Sequence, residues 1–311
     1  CGQKVVYFFP FKKYNPPCTN LITVCLPVCA NTKMTTANWL PLESNPDVMN
    51  KYLQKIGVPN KWNVVDVLGL DEESLSWVPK PVISVLLLFP CSEQYEAHRK
   101  KEDSELTENA QIISENVFHM KQTVQNACGT VALLHSIANN TDKIQLFDGW
   151  LKQFLDDAKE LDSTARGSLL ENCEGVVSAH FELAKEGQSN TPGENDPVNH
   201  HFIAFVHKDG KLYELDGRKS FPINHGDTTP ETLLEDSAKV CRTFMERDPN
   251  NVNFTVVALS AADLIISLCA SHNSCKVLCE AAIHSFLFCV MKKKYSLFWL
   301  DFGILLLVLG I

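Results

Sequence analysis

The stretch Gln122-Thr-Val-Gln-Asn-Ala-Cys-Gly-Thr-Val-Ala-Leu-Leu-His-Ser-Ile-Ala-Asn139 sets one cysteine, Cys128, at the mouth of an apolar run. From Gly129 onward Val131, Leu134, Ile137 and Ala138 recur at helical spacing, so the run reads as a helix with Cys128 in its first turn or just before it. A thiol there meets the positive end of the helix macrodipole and N–H groups that have no partner within the helix. Both favour the thiolate. A cysteine opening an apolar helix is nevertheless more often core than nucleophile. What separates the two readings is Gln122, six residues upstream. A thiolate attacking a carbonyl needs donors where the oxyanion develops, and a glutamine amide together with the cysteine's own N–H supplies two.

A base for that thiol can be sought among His200, His201 and His207. Asp209-Gly210 is a strong hairpin signal between two strand-like runs. With these two as the central turn residues, partners across the hairpin sum to 419, which sets Ile203 opposite Asp216. Side chains alternate along a strand, so Asp216 shares a face with His201, Ile203, Phe205 and His207. His201 is then the diagonal neighbour of Asp216 on that face. His200 points the other way, and His207 lies farther toward the turn. The pattern selects His201 as base and Asp216 as its orienting group, unless a bulge flips the parity. Taken singly, His201 is equally a core histidine satisfied by Asp216, and Asp216 a turn residue before Gly217. Asn126 and His135 are weaker candidates for supporting roles.

Gln122 through Asn140, with His201-Phe-Ile-Ala-Phe-Val-His and Leu212-Tyr-Glu-Leu-Asp-Gly-Arg-Lys, resembles the ubiquitin carboxyl-terminal hydrolases, specifically their small single-domain members, over roughly Met34 to Ala262. The resemblance assigns the same His201 and Asp216. It implies a papain-like cysteine hydrolase fold of α/β (α+β) type with a knotted backbone, acting on the terminal glycine of ubiquitin. Cys128 would attack, His201 would serve as base and acid, Asp216 would orient it, and Gln122 would help hold the oxyanion. It also implies that ubiquitin's basic tail lies in an acidic groove. Glu43, Asp47 and Asp66 stand where tail-contacting acids are expected, although surface solvation is the default for each, and Leu42 offers an apolar contact. Lys185 to Asn199 is dense in Gly, Pro, Asn and Ser and has little to bury. A loop of that length is a linker or a functional lid. The resemblance favours the lid, a crossover loop over the cleft that includes Lys185, Gly187, Pro192, Gly193 and Pro197 and restricts the leaving side to small or unstructured groups.

Charge is unevenly spread over the 311 residues. The total of −9 divides into +4 for residues 1–33, +1 for residues 263–311 and −14 for the middle. So acidic a middle argues against nucleic acid and suits a basic protein tail, or serves only solubility. The twelve cysteines fall four to each of these segments. Cys91, Cys128, Cys173 and Cys241 show no paired short spacing of the zinc-binding kind, so no metal or other cofactor is expected and a reduced, cytoplasmic thiol protein is the better fit. Residues 1–33 have little periodicity and only a faint signal-peptide pattern, and they read as non-native or disordered sequence ahead of Met34. Residues 34–262 read as the catalytic domain. Residues 263–311 are apolar and cysteine-rich and end in a Lys292-Lys-Lys cluster before an apolar stretch. They read as non-native sequence or, as the minority reading, a membrane tail anchor.

Within the middle, Asn45 as cap, Pro46 at the first position and Gly57 after Ile56 bracket a helix. Trp62–Val67 and Pro81–Phe89 read as strands, the second buried on both faces, with a short helix over Asp71–Trp77 between them. Arg99–Asn116 reads as a solvated surface segment. Helices are expected over Phe147–Glu160 and from Ser163 into the Glu182 region, and another from Thr229 as cap through Arg247. Phe254–Leu259 gives a last buried strand. The sum is an antiparallel-rich sheet with helices on both sides. The expected protein is a monomeric thiol hydrolase of ubiquitin, with a close ubiquitin-like protein as a further substrate. Its rivals are an idle module that sequesters monoubiquitin and a redox-sensing thiol protein, the latter needing a resolving cysteine that the sequence does not place near Cys128.

Overall fold

In chain order the elements are α1 (Pro46–Ile56), β1 (Trp62–Asp66), α2 (Glu72–Ser76), β2 (Val82–Pro90), α3 (Glu93–Glu108), α4 (Cys128–Ala138), α5 (Trp150–Ala158), α6 (Ser163–Glu171), α7 (Glu174–Leu183), β3 (His200–Lys208), β4 (Lys211–Leu215), β5 (Ile223–Asp227), α8 (Leu233–Arg247) and β6 (Thr255–Ala261). The computed structural model describes residues 39–187 and 199–261. The two flanking segments, with the tail-anchor reading of the second, lie outside the described residues. Among the described residues no helix is long and apolar enough to cross a membrane.

The six strands of the described residues form one sheet in the order β1-β6-β2-β3-β4-β5, antiparallel at every pairing. Its two faces carry separate cores. On one, Ile83 and Leu86 of β2 pack with Met49 and Leu53 of α1, Leu133 and Ile137 of α4, and residues of α5 to α7. On the other, Val85, Leu87 and Phe89 pack with Leu234 and Phe244 of α8 and Leu75 of α2. Alternation along β2 therefore feeds both cores, which is why it reads as a continuous apolar run. A register shift between Val82 and Ser84 turns Ser84 toward α4, where its hydroxyl donates to Ser136 Oγ at 2.7 Å.

Local signals account for several boundaries. Asn45 Oδ1 accepts from Asp47 N–H at 2.9 Å, and Gly57 takes φ 109° to close α1. Asp209 and Gly210 both take positive φ, 48° and 77°, with Lys208 opposite Lys211 and Ala204 opposite Leu215, the register expected for the hairpin. Three expectations are refined. Arg99–Asn116 is solvated as expected, with none of its residues buried, but as far as Glu108 it is the later part of helix α3, which starts from a Ser92 cap, buries only Tyr95 and is held down by ion pairs rather than an apolar face. The segment after Ser163 is two helices, parted at Asn172 and Cys173. Finally, α8 starts at Leu233 because Thr229 caps a single preceding turn, with Thr232 N–H donating to Thr229 O at 3.2 Å.

Helix α4 lies between the sheet and the outer helices, buried from Cys128 to Ile137. Gly129 makes the close approach possible. A Cβ there would stand 3.0 Å from Leu42 Cβ. Leu42 is itself only 4% exposed and packs against the first turn of α4 at Gly129.

Candidate active site

Cys128 is the first residue of α4, and its cap, Ala127, makes no side-chain cap bond. The first-turn N–H groups are thus left for other acceptors. Asn126 takes φ 64°, a left-handed conformation that asparagine tolerates better than most residues, and this turns the chain into the helix. Burial pushes the Cys128 thiol up. The hydrogen bond and charge of His201, with the N–H groups of Phe202 and Gly129, outweigh it and bring the thiol below its ordinary value.

His201 sits on β3 opposite Phe89 of β2, whose ring it meets edge-on at 5.8 Å. Its Nε2 lies 2.6 Å from Asp216 Oδ1, which leaves Nδ1 as the nitrogen for the thiol. Burial depresses the imidazole, but the Asp216 charge and hydrogen bond, and then the Cys128 thiolate, lift it to about 9. Both shifts run in the direction that favours a thiolate–imidazolium pair over the neutral pair.

Asp216 follows directly after β4 and is fully buried. Its Oδ1 also accepts from Arg218 N–H at 2.8 Å, and its Oδ2 accepts from the Tyr95 hydroxyl at 3.2 Å. Burial alone would raise the carboxyl, yet His201, Lys219 and the Arg218 N–H hold it well below the usual range. Behind it stands a buried charge network. Lys219, 1% exposed, donates to Glu214 at 2.6 Å and to Glu102 of α3 at 2.5 Å, and His225 Nε2 lies 2.8 Å from Glu214. Burial opposes ionisation of Glu214, and the Lys219 and His225 contacts bring it to about 2.

Gln122 donates its N–H to the Gly217 carbonyl at 2.8 Å, and its Nε2 donates to Val124 O at 2.9 Å, while its Oε1 is buried without a partner. That internal bond orients the side-chain amide and leaves its second N–H for a ligand. His119 was not singled out in the sequence. Its Nε2 meets the Asp216 backbone oxygen at 3.0 Å and its Nδ1 the Ser163 hydroxyl at 2.9 Å. Tyr95 was missed as well, because it reaches Asp216 across 121 residues, and Lys219, three residues past Asp216, because only the fold shows that it is buried against Glu214 and Glu102. His135, weighed as a support, accepts from Met120 N–H at 3.0 Å and stacks on His119 at 5.3 Å. His200 is exposed and His207 stands nearer the turn.

The expected substrate acids lie on the segment before α1, in its first turn and at the end of β1. Glu43 lies against Gly187, where a Cβ would strike its carboxylate. Asp47 is exposed in the first turn of α1. Asp66 is exposed at the end of β1, with β6 and β2 between it and β3. Lys185 and Gly187 follow α7, with Lys51 paired to neighbouring Glu186 at 2.7 Å. Pro192, Gly193 and Pro197 lie outside the described residues.

The sequence profile of the family described as "Ubiquitin carboxyl-terminal hydrolase, family 1" matches residues 39–246. A ubiquitin carboxyl-terminal hydrolase of Drosophila melanogaster is 52% identical over 224 residues, covering 72% of this chain and 98% of that protein. Human ubiquitin carboxyl-terminal hydrolase isozyme L1 is 48% identical over 223 residues, covering 71% and 98%. The fold is similar to that of the Trichinella spiralis UCH37 catalytic domain solved with ubiquitin vinyl methyl ester, with TM-score 0.57 at 23% identity over 73% of this chain and 96% of that one.

Proposed function

The chain belongs to the family 1 ubiquitin carboxyl-terminal hydrolases, and from that premise we propose that it cleaves small adducts or peptides from the terminal glycine of ubiquitin with Cys128 as nucleophile. The observation that carries the assignment is the placement of the His201 imidazole between the buried Asp216 carboxylate, at 2.6 Å, and the Cys128 thiol. With the thiol held below its ordinary value beside a cationic His201, the thiolate is the form that attacks. Cys128 Sγ adds to the glycine carbonyl and the electron pair moves to oxygen, where the Cys128 N–H and the free Gln122 amide hydrogen receive it. His201 Nδ1 gives its proton to the leaving amine or thiol as that bond breaks, which leaves a thioester. His201 then takes a proton from water as it attacks, and ubiquitin departs with a free carboxylate. A His201 poised near 9 is charged at neutral pH and so starts the cycle as an acid.

Glu43, Asp47 and Asp66 are proposed contacts for ubiquitin's basic tail, which their charge suits. Lys185 and Gly187 belong to the proposed crossover segment. A close ubiquitin-like protein is a second substrate class under the same chemistry. The cytoplasm suits the four thiols that are free among the described residues, Cys91, Cys128, Cys173 and Cys241.

The test is turnover of a fluorogenic amide on ubiquitin's carboxyl terminus, together with labelling by a ubiquitin-based covalent probe, in the parent chain and in Cys128→Ala. Both activities should be present in the parent and vanish in the variant. A folded parent chain that binds ubiquitin yet neither turns over nor labels would overturn the proposal in favour of an idle binding module.

A further inference from the structure

The segment bearing Gln122 and the loop bearing Asp216 are stitched together through the backbone. His119 Nε2 reaches the Asp216 carbonyl at 3.0 Å, and Gln122 N–H donates to the Gly217 carbonyl at 2.8 Å. At Gly217 the two runs close further than a side chain allows. A Cβ there would stand 2.9 Å from Gln122 Cβ, 3.0 Å from Gln122 N and 3.0 Å from Val131 Cγ1 on α4. Gly217 is not one of the positive-φ glycines, which among the described residues are Gly57, Gly210 and Gly226. Its lack of a side chain therefore answers to space and not to backbone conformation.

We infer that Gly217 is a positioning residue for the reaction. Having no side chain, it lets Gln122 seat against the Asp216 loop, so the peptide that follows the triad carboxylate also sets the place of the oxyanion donor. The inference rests on the reading of Gln122 as that donor. A methyl at 217 must move the Gln122 backbone, the Val131 side chain or both. Gln122 is on an irregular segment whereas Val131 is locked in a buried helix, so Gln122 gives way first. The donor then stands off the oxyanion while the Asp216–His201 pair stays in register.

The experiment is a double-mutant cycle on the fluorogenic ubiquitin amide with the parent, Gly217→Ala, Gln122→Ala and the double variant, each followed over pH and by thermal unfolding. Loss of a whole oxyanion donor costs about 10²- to 10³-fold in kcat, so a displaced one should cost roughly 10- to 100-fold. We expect that loss in Gly217→Ala with KM within about threefold, unshifted pH limits, and a double variant no slower than Gln122→Ala by more than about twofold. Multiplicative effects in the double variant, or pH limits displaced in Gly217→Ala, would overturn the inference by placing the effect on Asp216 or on the fold. If Gln122→Ala alone leaves kcat unchanged, the donor assignment itself fails, an outcome distinct from failed positioning. If Gly217→Ala does not fold, the cycle is repeated with Val131→Ala in every form, which opens the core side and leaves the Gln122 contact in place.

Discussion

Replacing Asp216 by asparagine should change the charge state of the thiol two links away. His201 stands at about 9 against an ordinary 6.5, and burial, the largest influence on it, acts downward. The charge of Asp216 is the largest of the contributions that reverse that influence, followed by its hydrogen bond and by Cys128. The lift corresponds to roughly 3 kcal/mol, or a few hundredfold in the protonation equilibrium of the imidazole. Asparagine preserves the shape, and its oxygen can still accept from His201 Nε2, so the ring stays in place but becomes neutral near pH 7. Cys128 then loses its cationic partner, burial dominates, and the thiol rises. We expect kcat/KM at pH 7 to fall by about 10²- to 10⁴-fold. The decisive assay is the rate of Cys128 alkylation by iodoacetamide across pH, which follows the thiolate. In the parent, the thiolate should persist from below the ordinary thiol value upward, while turnover should fall as pH rises through about 9 and His201 loses the proton it must donate. In Asp216→Asn the alkylation midpoint should move up by more than one unit. A midpoint that stays in place while turnover collapses would refute the electrostatic reasoning and leave Asp216 with an orienting role only.

Tyr95→Phe keeps the ring against Phe89, 4.5 Å away, but strips the donor from buried Asp216 Oδ2, and urea denaturation should show a loss of about 1.5–3 kcal/mol. Lys219→Met leaves Glu214 charged and poorly compensated at 1% exposure. It should cost about 3–5 kcal/mol, most of it recovered when Glu214→Gln is added. Burial holds His135 to about 3 and His180 to about 4, below the ordinary value of the unfolded chain. The unfolded state therefore takes up their protons first, so stability is lost as pH falls below about 6.5, by up to about 1.4 kcal/mol per unit for each. The slope of unfolding free energy between pH 6 and 4.5 should flatten by one proton in His180→Gln, and an unchanged slope would rule that histidine out as the source.

Features written into neighbouring residues were legible from the sequence. Asn45, Pro46 and Gly57 bound α1 as expected, and Asp209-Gly210 gave the register that brings His201 to Asp216. These outcomes depend on caps and turn geometry within a few residues. Contacts made over long sequence distances were not legible. Tyr95 reaches Asp216 across 121 residues and His119 reaches it across 97. Helix α3 escaped notice because it has no apolar stripe; Glu96 and Glu102 tie it to Arg218 and Lys219 instead. The burial of Leu42 was hidden for a related reason: it packs at Gly129, far along the chain and without a side chain to announce the fit.

The place of β6 bears on how the molecule can be made. Thr255–Ala261 is the last described strand, yet it lies between β1 and β2, the first two. During synthesis β2, β3 and β4 can pair as each emerges, so the ladder carrying His201 can assemble early. Strand β1 has no partner until β6 arrives, and Trp62 waits for Ala261. Such long-range closure is slow, and until it happens the β2 edge stays open to other chains. A chain cut just before Thr255 would keep Cys128, His201 and Asp216, but it should leave β1 unpaired and aggregate before it could turn over substrate.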